Sequence, residues 1–116
     1  MAKESIKLAG QSGLAIAASV EGASDGMPVI LAHGGGQTHR AWKRVSTLLA
    51  SHGFHAIALD LRGHGNSEWA KDGAYDIADF AGDLIAIAAR LERKPALIGA
   101  SLGGLAGIKA EGHLAP

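Results

Sequence analysis

The chain has 116 residues, of which 47% are hydrophobic and 19% charged, a balance that fits one globular domain with a single core and excludes a disordered or collagen-like chain. Its 11 basic and 11 acidic side chains give a formal net charge of zero. The composition therefore lacks the excess of positive charge that binding to nucleic acid or an anionic membrane requires, and a small molecule is the expected partner. Cysteine is absent, which excludes disulfides and thiolate metal sites.

The N-terminus carries charged side chains where a signal peptide needs an unbroken apolar segment. No apolar run approaches the roughly 20 residues that span a membrane. We therefore expect a cytoplasmic protein without a membrane segment.

Two β-like runs, residues 5–9 and 13–20, open the chain and are separated by a short linker with a glycine at each end. This arrangement favours an antiparallel hairpin. A short alanine-rich helix over residues 14–20 is the alternative, but the glycines and proline that follow favour the strand. Residues 21–27 form a loop, and the continuously apolar residues 28–32 predict a strand buried on both faces.

Three helices alternate with two further strands in the remainder of the chain. The first helix opens at Gln37 or Thr38 and ends at Gly53. Its apolar positions recur at spacings of three and four: Ala41, Trp42, Val45, Leu48 and Leu49. The next elements are a strand over residues 54–59, a helix starting near Asp76, a strand over 95–98 and a helix from Leu102 to about Glu111.

The resulting order β-β-β-α-β-α-β-α predicts an α/β fold in one domain over residues 1–116. Its sheet is mostly parallel with an N-terminal antiparallel hairpin, and helices cover both faces. In such open sheets, sites form at the carboxyl ends of the strands.

Glycine-rich polar segments follow three of the predicted parallel strands. The last of them spells G-x-S-x-G over residues 99–103. A serine on a sharp turn between a strand and a helix needs neighbours without side chains, and Gly99 and Gly103 supply that room.

These segments together resemble the first half of an α/β-hydrolase of the serine-nucleophile type, over nearly the whole chain. The matching motifs are His33-Gly34-Gly35-Gly36, Trp42 in the helix after it, Asp60-x-Arg62-Gly63-x-Gly65-x-Ser67 and Gly99-x-Ser101-x-Gly103-Gly104.

The resemblance implies that Ser101 attacks a carbonyl carbon to form an acyl-enzyme, while the backbone N–H groups of Gly35 and Leu102 form the oxyanion hole. The remaining motif residues would brace the loops: His33, Gly34, Gly36, Asp60, Arg62, Gly63, Ser67, Gly99 and Gly103. The plainer alternatives are an ordinary strand-to-helix connection at Ser101 and a flexible glycine turn at residues 34–36. A phosphate-binding loop is disfavoured because its Lys-Ser/Thr ending and any G-x-G-x-x-G are missing.

The remaining histidines give no metal signature. His64 stands between two glycines and either borders the pocket or lies in an exposed turn. His39, His52 and His55 lack the spacing of metal ligands, so we expect them at the surface or at helix ends. We therefore expect no metal and no cofactor.

The acid and base of the family follow the nucleophile on later loops, but only 15 residues follow Ser101 here. The acid and histidine among them, Glu111 and His113, lie about 15 Å along the predicted helix at 1.5 Å per residue. We interpret residues 111–113 as a helix end with a glycine stop at Gly112. We therefore expect a truncated domain, either a fragment or an incomplete reading frame, that is inactive on its own.

The leading functional hypothesis is hydrolysis of an ester or similar carbonyl substrate. By the resemblance, serine at position 101 argues against haloalkane dehalogenase and epoxide hydrolase chemistry, which use an aspartate there, and leaves haloperoxidase, carbon–carbon hydrolase and lyase chemistry open. The alternative is a non-catalytic binding or assembly module that pairs, or self-associates through, the open edge of the strand over residues 95–99.

Overall fold

The computed structural model describes residues 3–114, and the side chains up to residue 112. Its main elements follow the predicted order: β1 (Glu4–Ala9), β2 (Ala15–Glu21), β3 (Pro28–Ala32), α1 (Lys43–Ser51), β4 (His55–Leu59), α2 (Ile77–Ala89), β5 (Ala96–Gly99) and α3 (Leu102–Leu114). Two short 3-10 turns complete the described part, Gln11–Gly13 within the hairpin and His39–Trp42 directly before α1.

The five strands form one mixed sheet in the order β1-β2-β4-β3-β5. The β1–β2 hairpin is antiparallel and joins β4 through an antiparallel pair, whereas β3 runs parallel to both β4 and β5. The hairpin closes where Gly10 N donates to Leu14 O at 2.7 Å. The predicted hairpin and parallel strands are confirmed, and the alternative helix over residues 14–20 is wrong.

The two faces of the sheet are covered by different helices, as predicted. The alternation of a strand sends successive side chains to opposite faces, so Ile30 packs toward α2 and α3 while Leu31 packs toward α1. All five residues of β3 are buried. A strand whose every residue is buried must lie in the middle of the sheet, which is where β3 pairs on both sides.

Helix starts agree with the sequence. The Thr38 side chain accepts from Arg40 N at 3.2 Å and caps the 3-10 turn. Asp76 caps α2 in a reciprocal capping box with Asp79, an arrangement that satisfies amide groups lacking a helical partner. At the other end of α1, Gly53 follows the helix with a φ of +86°, a conformation that glycine adopts without steric cost.

Two details of the predicted helices are wrong. Leu48 was expected in the apolar stripe of α1 but is 60% exposed, because the face that meets the sheet is formed by Ser46 and Ala50 with Val45 and Leu49 beside them. The predicted glycine stop at Gly112 is absent, since α3 continues through that residue to Leu114. Gly112 does not have the positive φ that a glycine helix end uses.

A buried ion pair fastens the loop after β4 to α2. Arg62 Nε and Nη2 donate to the two carboxylate oxygens of Asp83, each at 2.8 Å, and Arg62 Nη1 donates to Ala74 O at 2.8 Å. Gln11 N donates to Asp83 as well, at 2.9 Å. The hairpin turn, the loop and α2 are therefore held together by one carboxylate.

Strand β5 lies at the edge of the described sheet and pairs there with β3 alone. Ala96, Ile98 and Gly99 are exposed, and an open groove of about 400 Å³ runs between β5 and α3. This is the open edge that the sequence predicted for the strand over residues 95–99.

The turn from β5 into α3 approaches the end of β3 backbone to backbone. Ala100 N donates to Ala32 O and Gly103 N donates to His33 O, both at 3.1 Å. A Cβ on Gly103 would lie 2.1 Å from Ala32 O, and one on Gly99 would lie 2.5 Å from the Gly103 carbonyl. Both glycines are therefore required by close packing.

We predict that Gly103→Ala destabilises the fold by about 1–3 kcal/mol, because the backbone must shift to admit a methyl group. Gly107→Ala in the same helix is the matched control, since a Cβ there meets no atom within 4 Å. It should raise the free energy of unfolding by up to about 1 kcal/mol through helix propensity. Urea denaturation measures both, and equal stabilities of the two variants would contradict the close approach.

Candidate active site

Ser101 occupies the turn between β5 and α3 in a backbone conformation that L-residues rarely adopt. Its φ is +53° and its side chain is exposed. A non-glycine residue in this left-handed region costs on the order of 1–3 kcal/mol and persists only where the surroundings impose it. The contacts of Gly99 and Gly103 impose it here, so the hydroxyl group stands in solvent at the carboxyl end of the sheet.

The glycine turn after β3 lies beside this serine. A Cβ built on Gly34 would be 3.5 Å from the Ser101 Cβ, and one built on Gly35 would be 3.9 Å from a methyl group of Leu102. The structure therefore brings together the three positions that the sequence predicted for the nucleophile and the oxyanion hole: Ser101, Gly35 and Leu102.

Hydrogen bonds occupy most of the amides around Ser101. Gly34 N donates to Gln37 Oε1 at 3.1 Å, Gly36 N donates to His64 Nε2 at 3.0 Å, and Gly103 N donates to His33 O. Within residues 3–114, the amides of Gly35 and Leu102 have no acceptor. Two N–H groups in the turns next to the exposed Ser101 are thus left without an acceptor.

His33 is fully buried and joins the loops that follow β3 and β4. Its Nε2 accepts from Leu61 N at 2.9 Å, which requires the ring proton on Nδ1, where it is donated to Gly34 O at 2.7 Å. Burial lowers the pKa of His33, so the ring stays neutral. Both ring nitrogens bind backbone, and neither is left to take a proton from Ser101.

His64 forms the reverse connection between the same loops. Its Nε2 accepts from Gly36 N, and its Nδ1 lies 3.0 Å from Arg62 O. Its ring centroid lies 4.9 Å from that of His33. The half-buried ring is not the exposed turn residue that the sequence offered as one alternative, and its place at the border of the pocket stays a prediction.

The flanking glycines were the signal for this role. Gly63 and Gly65 have φ values of +75° and +50°, and side chains there would strike Tyr75 and Asp60 respectively. This backbone path turns the ring of His64 back toward the glycine turn after β3.

Asp60 is a buried acceptor for the loop that follows β4. It accepts from His39 N at 2.7 Å, from His39 Nδ1 at 2.8 Å and from Asn66 N at 3.0 Å. Burial acts to raise the pKa of Asp60, but the bonds from Asn66 and His39 outweigh it and leave the pKa below its usual value. Ser67 Oγ donates to Asp60 O and accepts from Ala17 N at 2.8 Å.

The other predicted residues lie apart from Ser101 or serve packing. His39 begins a helical turn as expected, but its side chain is 27% exposed and paired with Asp60. His52 is exposed at the end of α1, and Trp42 packs on the face covered by α1. Among the described side chains, no three of His, Asp or Glu converge on a position where a metal could bind.

The structure places no acid–base pair beside Ser101 in the described part of the chain. Glu111 is exposed on α3, about 15 Å from the start of the helix at 1.5 Å per residue. The side chain of His113 lies outside the described residues. Within the described residues, Ser101 therefore lies beside two amides without an acceptor and forms no hydrogen bond with a histidine or a carboxylate.

None of the helices within residues 3–114 combines the length and the apolar character needed to cross a bilayer.

Comparisons with known proteins agree with this geometry. The chain is 37% identical over 84 residues to a non-heme chloroperoxidase of Streptomyces lividans, covering 72% of this chain and 30% of that protein. It is 39% identical over 84 residues to an esterase of Mycobacterium tuberculosis, covering 70% and 26%.

Solved structures give the same result. An epoxide hydrolase from Vigna radiata superposes with a TM-score of 0.85 at 25% identity, covering 93% of this chain and 35% of that one. A thioesterase domain from the curacin biosynthetic pathway superposes with a TM-score of 0.86 at 26% identity, covering 96% and 40%. The chain thus spans about a third of the length of the relatives it matches.

A family model described as the alpha/beta hydrolase family matches residues 29–115. That range contains all three glycine-rich strand ends and the turn that carries Ser101. With this match, and with the parallel strands and the crossover helices in the family's order, the chain belongs to the α/β-hydrolase family.

Proposed function

We propose that this chain carries the nucleophile and the oxyanion-binding groups of a serine-dependent hydrolase that acts on an ester or a similar small carbonyl compound. The observation that carries the proposal is the exposed, left-handed Ser101 beside the two unpaired amides of Gly35 and Leu102. A nucleophile and two donors aimed at one position are what acyl transfer requires.

In the proposed reaction, Ser101 Oγ attacks the carbonyl carbon while its proton passes to a base. The carbonyl electron pair moves to oxygen, and the N–H groups of Gly35 and Leu102 donate to that oxyanion. The tetrahedral intermediate collapses by expelling the leaving group, and water then hydrolyses the acyl-enzyme. Each oxyanion donor of this kind contributes about 100- to 1000-fold to the rate.

Two features of α3 support the assignment of Leu102 as a donor. Leu102 is the first residue of the helix, where amide groups have no helical acceptor. The positive end of the helix dipole also lies there and favours a developing negative charge. Gly103, the next residue, already donates to His33 O, so Leu102 is the remaining donor next to the serine.

The identity of the nucleophile supports a carbonyl substrate. A serine alkoxide forms an ester with an acyl group, and that ester is hydrolysed by a second attack at the same carbonyl carbon. One similar protein is named an esterase and a similar structure is a thioesterase domain, and both names describe acyl compounds. The proposed partner of this site is therefore a small molecule.

The base and its acid partner are proposed to come from outside the described residues. Both nitrogens of His33 and both nitrogens of His64 bind backbone groups, and Glu111 lies far along α3. A serine without a base is a weak nucleophile at neutral pH. We therefore propose that the 116 residues alone turn over substrate poorly.

The first test of the nucleophile uses a chimera in which residues 29–114 replace the matching segment of the chloroperoxidase relative. We expect a fluorophosphonate probe to label Ser101, because the chimera restores a base. Ser101→Ala should abolish labelling. Ser51→Ala is the matched control, since Ser51 is also an exposed serine within this segment, and it should label normally. Labelling that survives in Ser101→Ala contradicts the proposal.

A second prediction concerns the 116-residue chain itself. Its hydrolysis of a p-nitrophenyl ester should stay near the uncatalysed rate and should not change in Ser101→Ala, because no described side chain can accept the serine proton. The release of nitrophenol measures both rates. Strong activity that disappears in Ser101→Ala would show that a base lies within the chain.

A second candidate function is a non-catalytic module that pairs the free edge of β5 with another chain. The exposure of this strand favours it, because unpaired strand groups form a template for strand addition. Size-exclusion chromatography with light scattering of the 116-residue chain distinguishes the candidates. A discrete dimer that is lost in Ile98→Pro, which removes a strand N–H, would favour the module. A monomer or polydisperse aggregate would argue against it.

A further inference from the structure

His64 holds the amide next to the proposed oxyanion donor. Gly36 N donates to His64 Nε2 at 3.0 Å, across 28 residues of sequence. A backbone N–H can only donate, so Nε2 must carry the lone pair and the ring must be neutral. The ring proton then sits on Nδ1, which lies 3.0 Å from Arg62 O and donates to it.

The two histidines cross-link the loops after β3 and β4 in opposite directions. His33, from the first loop, accepts from Leu61 in the second, and His64, from the second loop, accepts from Gly36 in the first. His33 is fully buried, whereas His64 is half-buried and its bond to Gly36 lies at the surface. Of the two rings, His64 is the one that solvent protons reach directly.

We infer that His64 is a positioning residue. Its neutral ring accepts the hydrogen bond of the Gly36 amide, which fixes the shape of the glycine turn and leaves the Gly35 N–H as the free donor. Protonation of the ring breaks this bond and releases the turn. A protonated Nε2 becomes a donor, which faces the Gly36 N–H and repels it. The catalytic meaning of this inference rests on the proposed function.

The charged and titratable groups around His64 come from each element that packs on it. The loop after β3 contributes His33, whose lowered pKa keeps it neutral. The loop after β4 contributes Arg62, whose guanidinium group is bound to Asp83. Helix α2 presents the apolar ring of Phe80, with a centroid 6.5 Å from that of His64.

Further polar and titratable groups border this cluster. Asp60 accepts from His39 and Asn66, and both Asp60 and His39 act electrostatically on His33. Tyr75 contacts Phe80 on its other side. No ion pair joins His64 to any side chain in the described residues, so its protonation adds a charge next to the turn without forming a salt bridge.

The test follows the Gly36 amide of the 116-residue chain by ¹⁵N NMR while the pH falls from about 8 to about 5, the range in which histidine titrates. The Gly36 resonance should move with the same midpoint as the His64 ring. Its hydrogen exchange, corrected for the intrinsic rate, should rise about fivefold across that midpoint as one hydrogen bond is lost.

Two substitutions separate the bond from the packing of the ring. His64→Gln offers a neutral acceptor, so the Gly36 amide should stay bound and stop titrating; a response that persists in this variant would assign the effect to His33 and overturn the inference. His64→Phe keeps the ring contacts but has no acceptor, so Gly36 exchange should be about fivefold faster at every pH. His52→Phe, at an exposed histidine, is the matched control and should leave the exchange rate and the pH response of the Gly36 amide unchanged.

The same variants in the chimera connect the turn to catalysis. Labelling of Ser101 by the fluorophosphonate should slow about tenfold or more in His64→Phe, because a displaced donor weakens the oxyanion hole, and should recover in His64→Gln. If the resonance and hydrogen exchange of the Gly36 amide do not respond to the His64 substitutions, the positioning role is wrong, whatever the labelling result. A Ser101 that never labels overturns the proposed function, while the NMR response still reports on the turn.

Discussion

The end of β3 and the first turn of α3 meet at a backbone contact too close for any side chain, and the geometry of the candidate site depends on it. The oxygen of Ala32 accepts from Ala100 N, and it also occupies the place where a Cβ of Gly103 would lie. The chain between these points is short, so Ser101 is forced into its left-handed conformation. The packing of α3 stabilises that conformation.

Buried polar groups at the strand ends impose a second constraint, because a backbone amide without a partner is costly in the interior. In the loops after β3 and β4, two histidine rings meet this requirement. Leu61 N in the second loop donates to His33 in the first, and Gly36 N in the first loop donates to His64 in the second. Asp60 adds three further bonds beneath them. The loops are thereby braced by side chains, while the amides of Gly35 and Leu102, in the two turns next to Ser101, have no acceptor within residues 3–114.

Most of the fold could be predicted from local signals. The apolar run of β3, the capping residue Asp76 and the order of the elements were all readable because each depends on neighbours within a few residues. The failures at Leu48 and Gly112 have separate causes. Periodicity finds the apolar positions of α1 but does not say which of them meet the sheet, and a glycine near the end of a helix does not say whether the helix stops there or continues through it.

By itself, the sequence determined the α/β architecture, the glycine-bracketed turn and the position of Ser101, since these follow from steric rules that act within a few residues. Only the tertiary structure decided which amides stay free and what His64 and His39 do. Their hydrogen-bond partners, Gly36 and Asp60, stand 28 and 21 residues away along the chain. Such bonds depend on how separate strand ends meet in space, a relation that local pattern does not contain.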